Sequence, residues 1–223
     1  MRSFIAAETA WLNSPVTTFL LIESAPRRAF ASALDWPGWC RAGRTEQDAI
    51  AALAAYAGRY APVCARAGVA FPLEAAQHFE VIERVAGNAT TEFGAPAIEA
   101  VCERQSLDAN TATRLAAVVA ACWDVFDSIV AAAPAQLKKG PRGGGRDRDP
   151  IALHVAKAEL AYARKLGIRL GSDRAAVRTA LLQVLGVPWG ERQQAENGLS
   201  PRYAARRIAW HTLDHAWEIE DKS

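Results

Sequence analysis

Three histidines in the second half of the chain are spaced for joint chemistry. His211 and His215 are four residues apart, so on a helix they project from one face about one turn apart. That face is the apolar one. Ala204, Ile208, His211, Thr212, His215 and Ile219 recur at helical intervals, the pattern of a stripe turned to a core. Upstream, Ile151, His154, Val155, Ala158 and Tyr162 make a similar stripe, with His154 inside it. A neutral imidazole has one donor and one acceptor, and burying either unpaired costs roughly 1–3 kcal/mol. Three such rings in one interior either share hydrogen bonds or bind one divalent cation, and imidazole suits Zn, Ni, Fe and Cu. Three protein ligands leave a coordination position for water or substrate. The plainer alternative, two helix-end histidines and an unrelated core histidine, stays open on spacing alone, although the inward placement weakens it.

Charged neighbours extend the candidate site. Asp214 and Glu218 flank the histidine pair; carboxylates there either orient a ligand imidazole, act as acid or base, or are simply solvated. Glu159, five residues after His154, is off its face. Residues 138–149 carry Lys138, Lys139, Arg142, Arg146 and Arg148 against Asp147 and Asp149, with Gly140 and Gly143–Gly145 between. Such glycines let backbone N–H groups approach an anion. The segment leads into the His154 helix, so it is placed either to overhang the histidines and clamp a carboxylate or a charged thiol, or to act as a solvated linker. It lacks the Gly-Lys-Ser/Thr ending of a nucleotide-binding loop. Seven tryptophans are many for 223 residues, and Trp123, Trp210 and Trp217 read as packing groups. Cys122 reads as a buried, inert thiol.

These residues need helices to position them. A helix is predicted from about Asp108 to Ala133, stopped by Pro134. Asp149 followed by Pro150 reads as an N-cap with Pro at the first helical position, opening a helix to about Leu166 that Gly167 closes. A third runs from Asp173 to Leu185, and a fourth from Ser200-Pro201 to about Asp221. Four helices with modest connections predict a four-helix bundle. The first half is mixed. Thr17–Glu23 and Arg28–Leu34 read as a hairpin, and Trp36-Pro37-Gly38-Trp39 as a loop. Thr45 and Asp48 form a capping-box pattern with Asp in place of Glu. A helix therefore starts there and continues past Pro62 to Gly68. His78–Val85 alternates as a further strand, giving the order β-β-α-β. Residues 87–107 join the halves, and residues 1–16 read as a leader before the first strand.

Composition bounds the function. Hydrophobic residues make up 51% and charged residues 22%, which excludes a disordered chain. Net charge is +2, with −2 over residues 1–106 and +4 beyond. Neither half is basic enough to argue for a nucleic-acid partner. No run of 18 apolar residues escapes a charge or breaker, so no membrane partner is expected. No apolar signal segment opens the chain. Cys40, Cys64, Cys102 and Cys122 are widely spaced and are expected as free thiols in the cytoplasm.

Two resemblances follow from these residues. Asp149–Tyr162 (DPIALHVAKAELAY) and Arg206–Glu220 (RRIAWHTLDHAWEIE) resemble the second and fourth helices of the DinB-like superfamily, over roughly residues 107–221. That resemblance implies a four-helix bundle holding a divalent metal (Zn, Ni or Fe) on His154, His211 and His215. It also implies chemistry on a small-molecule substrate, as in the family's low-molecular-weight-thiol-dependent transferases and isomerase. Asp35-Trp36-Pro37-Gly38-Trp39-Cys40, Gly43 and Thr45-Glu46-Gln47-Asp48-Ala49 resemble the HicB-like module, over about residues 17–86. The combined expectation is an α+β chain: a β-β-α-β HicB-like module followed by an all-α DinB-like bundle. The implied function is a metal-dependent thiol transferase or hydrolase, with the first module shaping the pocket mouth or a homo-oligomer interface. The alternative is a non-catalytic protein that binds a protein or RNA partner through its HicB-like half.

Overall fold

The computed structural model describes residues 16–140, 144–190 and 198–223. The leader reading therefore lies outside the described residues except for Val16, as do Arg142 and Gly143 of the basic segment. The architecture is α+β. Thr18–Ala25 (β1) and Arg28–Ala33 (β2) form the expected hairpin, with Leu20 opposite Ala33 and Ala25 opposite Arg28.

The order β-β-α-β needs two corrections. Cys40–Gly43 forms a short third strand, β3, antiparallel to β2. Four residues are too few to show a period in sequence, and the Pro-Gly turn before them masks the signal. The helix expected from Thr45 to Gly68 divides at Tyr56 into α1 (Glu46–Ala55) and α2 (Ala57–Arg66). The capping box at Thr45 and Asp48 is formed. The break falls at Tyr56 itself (φ −90°, ψ 0°), whereas Pro62 sits inside α2 and leaves only the Gly58 carbonyl without its N–H partner.

Phe79–Ala86 (β4) lies parallel to β1, giving the sheet order β3-β2-β1-β4. A parallel pair requires a crossover, which α1 and α2 supply. Leu20, Ile22 and Ala31 share a cluster with Leu53 and Tyr60, whereas Phe30 and Cys40 pack with Trp210. Both faces of the central strands are therefore covered. A short helix, α3 (Ala89–Phe93), and a 3-10 turn at Val101–Arg104 occupy the connecting segment.

The remaining four helices are α4 (Ala109–Ala132), α5 (Arg148–Lys165), α6 (Arg174–Leu185) and α7 (Pro201–Lys222). Every pair among them is in contact. One boundary is corrected: the N-cap of α5 is Asp147, which makes Pro150 the third helical residue. Asp147 accepts from the Leu137 N–H at 3.1 Å and pairs with Lys139, so the incoming loop is fastened two residues before the predicted cap. Among the described residues, α4 alone is long and apolar enough to cross a membrane, although Arg114, Asp124 and Asp127 interrupt its apolar run, as the charge spacing anticipated. It packs on α2, α6 and α7, burying Leu115, Val118, Val119, Cys122, Trp123 and Phe126.

The position of α7 differs most from the amphipathic stripe read in sequence. Its opposite side is buried too, through Arg206, Ala209, Trp210, Leu213, Ala216 and Trp217. A helix buried on two opposite sides lies between two layers of a fold. Here α7 is wedged between the sheet and the other helices. The Pro-Gly turn docks on it so closely that a Cβ on Gly38 would lie 2.8 Å from Leu213 Cδ1. Arg206 reaches from α7 to a buried bidentate pair with Glu103, at 2.6 and 2.8 Å. One apolar cluster runs through both halves, joining Leu20 and Leu53 to Leu115, Ala209 and Leu213.

Candidate metal centre

His154 is held by α5 and His211 and His215 by α7, and these helices pack side by side. One ring nitrogen from each histidine lies within 4.8 Å of the others. The Nε2 atoms of His154 and His211 are 3.0 Å apart. Ring centroids are separated by 4.7 Å for His211–His215 and by 5.0 Å for His154–His215. Two nitrogens bound tetrahedrally to Zn at ordinary lengths stand about 3.3 Å apart, so a small contraction or expansion of this cluster accommodates a cation. His215 is buried, and His154 and His211 are half-buried.

The hydrogen bonding selects which nitrogen faces inward. His215 Nδ1 stands 2.8 Å from Glu218 Oε2. The carboxylate can only accept, so Nδ1 carries a proton, and Nε2 is the nitrogen that can offer a lone pair to a cation. Glu218 Oε1 accepts from Lys222 Nζ at 2.6 Å. These two donors hold the Glu218 carboxyl down at about 2, despite its partial burial. Burial, reinforced by the neighbouring His215 and His154, pushes His211 down to about 2. Burial lowers His154 as well. Neutral imidazoles are the form that ligates metals.

The two flanking carboxylates part company. Glu218 contacts a candidate ligand directly. Asp214 instead accepts from Arg41 of β3 at 3.1 Å. Burial raises its pKa, and Arg41 opposes that rise. Arg41 also stacks on Tyr56, 3.9 Å from the ring centre. Asp214 thus fastens the sheet to α7, and its charge is felt by His215 without a hydrogen bond to that ring. Glu159 is buried between Arg174 and Arg178, a charge cluster away from the histidines.

The basic loop does approach the site. Gly140 N–H donates to Gly144 O at 2.9 Å, and Lys138 N–H to Lys222 O at 2.8 Å, which ties the loop to the end of α7. Arg146 is near enough for its charge to depress both His154 and His211. A shallow depression of about 560 Å³ on the outer side of α5 is lined by Asp149, Leu153, His154 and Lys157. Sequence reasoning placed no function on Tyr162 or Arg207. Tyr162 lies with its ring 6.5 Å from that of His211; burial raises its pKa, and the hydrogen-bonded Arg207 opposes that rise, while the charge of Arg207 also adds to the lowering of His211. The signal was available in the spacing, since Arg207 precedes His211 by one turn of α7.

Set beside known families, curated proteins and solved structures, the chain matches none of them. The site is therefore assigned on its geometry. The cysteines are not part of it: Cys40, Cys64, Cys102 and Cys122 are all free thiols, and burial pushes the Cys122 thiol well above its ordinary range.

Proposed function

We propose that this chain is a DinB-like metal-dependent enzyme acting on a small molecule, with a low-molecular-weight thiol or water as nucleophile. The convergence of three imidazoles from two helices supports this reading. His154, His211 and His215 would hold the divalent cation, Zn, Ni or Fe. When bound, such an ion lowers the pKa of a coordinated water or thiol and so supplies a nucleophile near neutral pH.

The chain's own residues have separate tasks. Glu218 keeps the His215 proton on Nδ1 and directs Nε2 toward the cluster. Lys222 neutralises the far oxygen of Glu218 and holds it in place. Arg146 puts positive charge at the loop side of the site. The sheet, on the opposite side of α7, stiffens the helix that carries two of the three imidazoles. The HicB-like reading of this sheet rests on its Pro-Gly turn and capped α1. The burial of both faces of its central strands argues against an open partner-binding face there. Free thiols favour a reducing compartment such as the cytoplasm.

Metal content of the untagged protein tests the reading. Wild type is expected to carry about one equivalent of metal per chain, and His211→Ala to lose most of it while keeping its circular dichroism. Metal-free wild type after incubation with Zn, Ni and Fe, or full metal in the variant, overturns the assignment.

A further inference from the structure

A cavity of about 380 Å³ opens beside the histidines, in the groove between α5 and α7. Its walls carry Tyr162 and Lys165 from α5 and Tyr203 and Arg207 from α7. The segment after β4 closes the third side. Arg207 lies one turn of α7 before His211, and Ala158 one turn of α5 after His154. The cavity and the histidine cluster therefore follow one another along the same helical seam.

The polar character of this cavity has one sign. Lys165 and Arg207 line it and no Asp or Glu does. Among the described residues neither cation is in an ion pair with a carboxylate. Arg207 Nη1 is buried and has no hydrogen-bond partner, although buried guanidinium N–H groups are normally satisfied. The group is not loose: its guanidinium rests on the Trp210 ring, 4.9 Å from the centroid, which limits its freedom to turn away. The Tyr203 hydroxyl donates to Ala97 O at 2.7 Å and braces the far wall. Ala158, Ala161 and Leu199 add apolar surface between the cations.

We infer that this cavity binds the carboxylate of a small organic acid, whose carbon chain runs along the seam toward the three histidines. A planar guanidinium fork with an unused N–H matches a carboxylate, and Lys165 at the rim adds a second positive charge. The apolar surface suits a short carbon chain better than a bare inorganic anion. The inference rests on the proposed metal-site function only for the identity of the acid as substrate. It names the substrate class: a carboxylate whose reacting carbon stands about one helical turn, roughly 5 Å, from its acid group.

Calorimetric titration with butyrate and succinate tests it, with inorganic phosphate as the comparison anion. Saturable butyrate binding is expected in wild type, both as purified and after treatment with a chelator. Arg207→Gln should weaken it at least about tenfold. Lys165→Glu, a change at an exposed position that leaves the core intact, should weaken it several-fold. Absence of saturable binding overturns the inference, as does unchanged affinity in both charge variants, or phosphate binding more tightly than either acid. Butyrate binding by a protein that takes up no metal upholds the cavity while removing the metal assignment; metal uptake without carboxylate binding does the reverse.

Discussion

The Nε2 atoms of His154 and His211 stand 3.0 Å apart although 57 positions separate the two residues in the chain. Two ring nitrogens at that distance share one proton between them or one cation. Neither ring can be charged comfortably, because burial and the third imidazole oppose a positive charge on either. The arrangement without metal is thus tuned to neutrality. A cation that binds the native state and not the unfolded chain should stabilise the protein by about 2.7 kcal/mol at a hundredfold excess over its Kd. Thermal unfolding with and without Zn checks this, and His211→Ala should show no such rise.

Acid should weaken the metal-free protein through these same rings. The native His211 titrates at about 2, whereas an unfolded histidine titrates near 6.5. Between those values the unfolded chain holds a proton that the native state does not. Stability is therefore complete above about pH 6.5 and falls as pH drops, by at most about 1.4 kcal/mol per pH unit for this one group. Glu218 acts in the same direction over a lower range, since its native pKa is depressed to about 2. Urea titrations in chelator from pH 7 to 5 should give a shallower slope for His211→Leu than for wild type. Equal slopes would show that His211 is not held neutral.

The two carboxylates beside the histidine pair should behave differently when neutralised. Glu218→Gln removes the acceptor that fixes the His215 tautomer, and metal affinity should fall about 10–100-fold. Asp214→Asn removes the contact with Arg41 and no hydrogen bond to an imidazole, and should leave affinity within about twofold. Competition with a chromophoric chelator measures both. Equal losses would mean that the local hydrogen bond to His215 has no special part.

Gly38 should be intolerant of substitution although it is remote from the histidines. Its φ is +93°, and an added Cβ would meet Leu213 Cδ1 at 2.8 Å and Ala209 Cβ at 3.2 Å. Strain and overpacking together should make Gly38→Ala destabilising by about 2–4 kcal/mol. Denaturant unfolding reads the change directly. Because the contact falls on α7, the loss should appear in the whole cooperative transition and not in the sheet alone.

Glu103→Ala should be costly as well. It leaves the Arg206 guanidinium buried without its bidentate carboxylate, and breaking such a pair from one side typically costs about 3–5 kcal/mol. Replacing both partners, as in Glu103→Leu with Arg206→Met, should recover much of that loss. A double-mutant cycle of unfolding free energies separates the pair from its surroundings.

Local signals explain what could be read from the chain. The hairpin, the capped start of α1, the final strand and four long helices all announce themselves through period, caps and breakers, which act over a few residues. The inward placement of His154, His211 and His215 was legible for the same reason, since each sits in an apolar stripe of its own helix. The short strand Cys40–Gly43 was not, because four residues carry no period. The split at Tyr56 was missed because residues on either side keep the same apolar spacing.

Sequence alone determined the hairpin, the start of α1, the final strand and the four long helices, and that three imidazoles belong to the apolar faces of two helices. Only the tertiary structure decided that α7 is buried on two opposite sides, with Arg207, His211, Asp214 and Glu218 left half-buried along one stripe. That placement sends Asp214 to Arg41 and Glu218 to His215, although both carboxylates flank the same pair in sequence. It also left Arg207 Nη1 buried without a partner one turn from His211. Periodicity reports a residue's position around its own helix, but not which neighbour occupies the space it faces. The packing of a second layer settles that, through contacts between residues far apart in the chain.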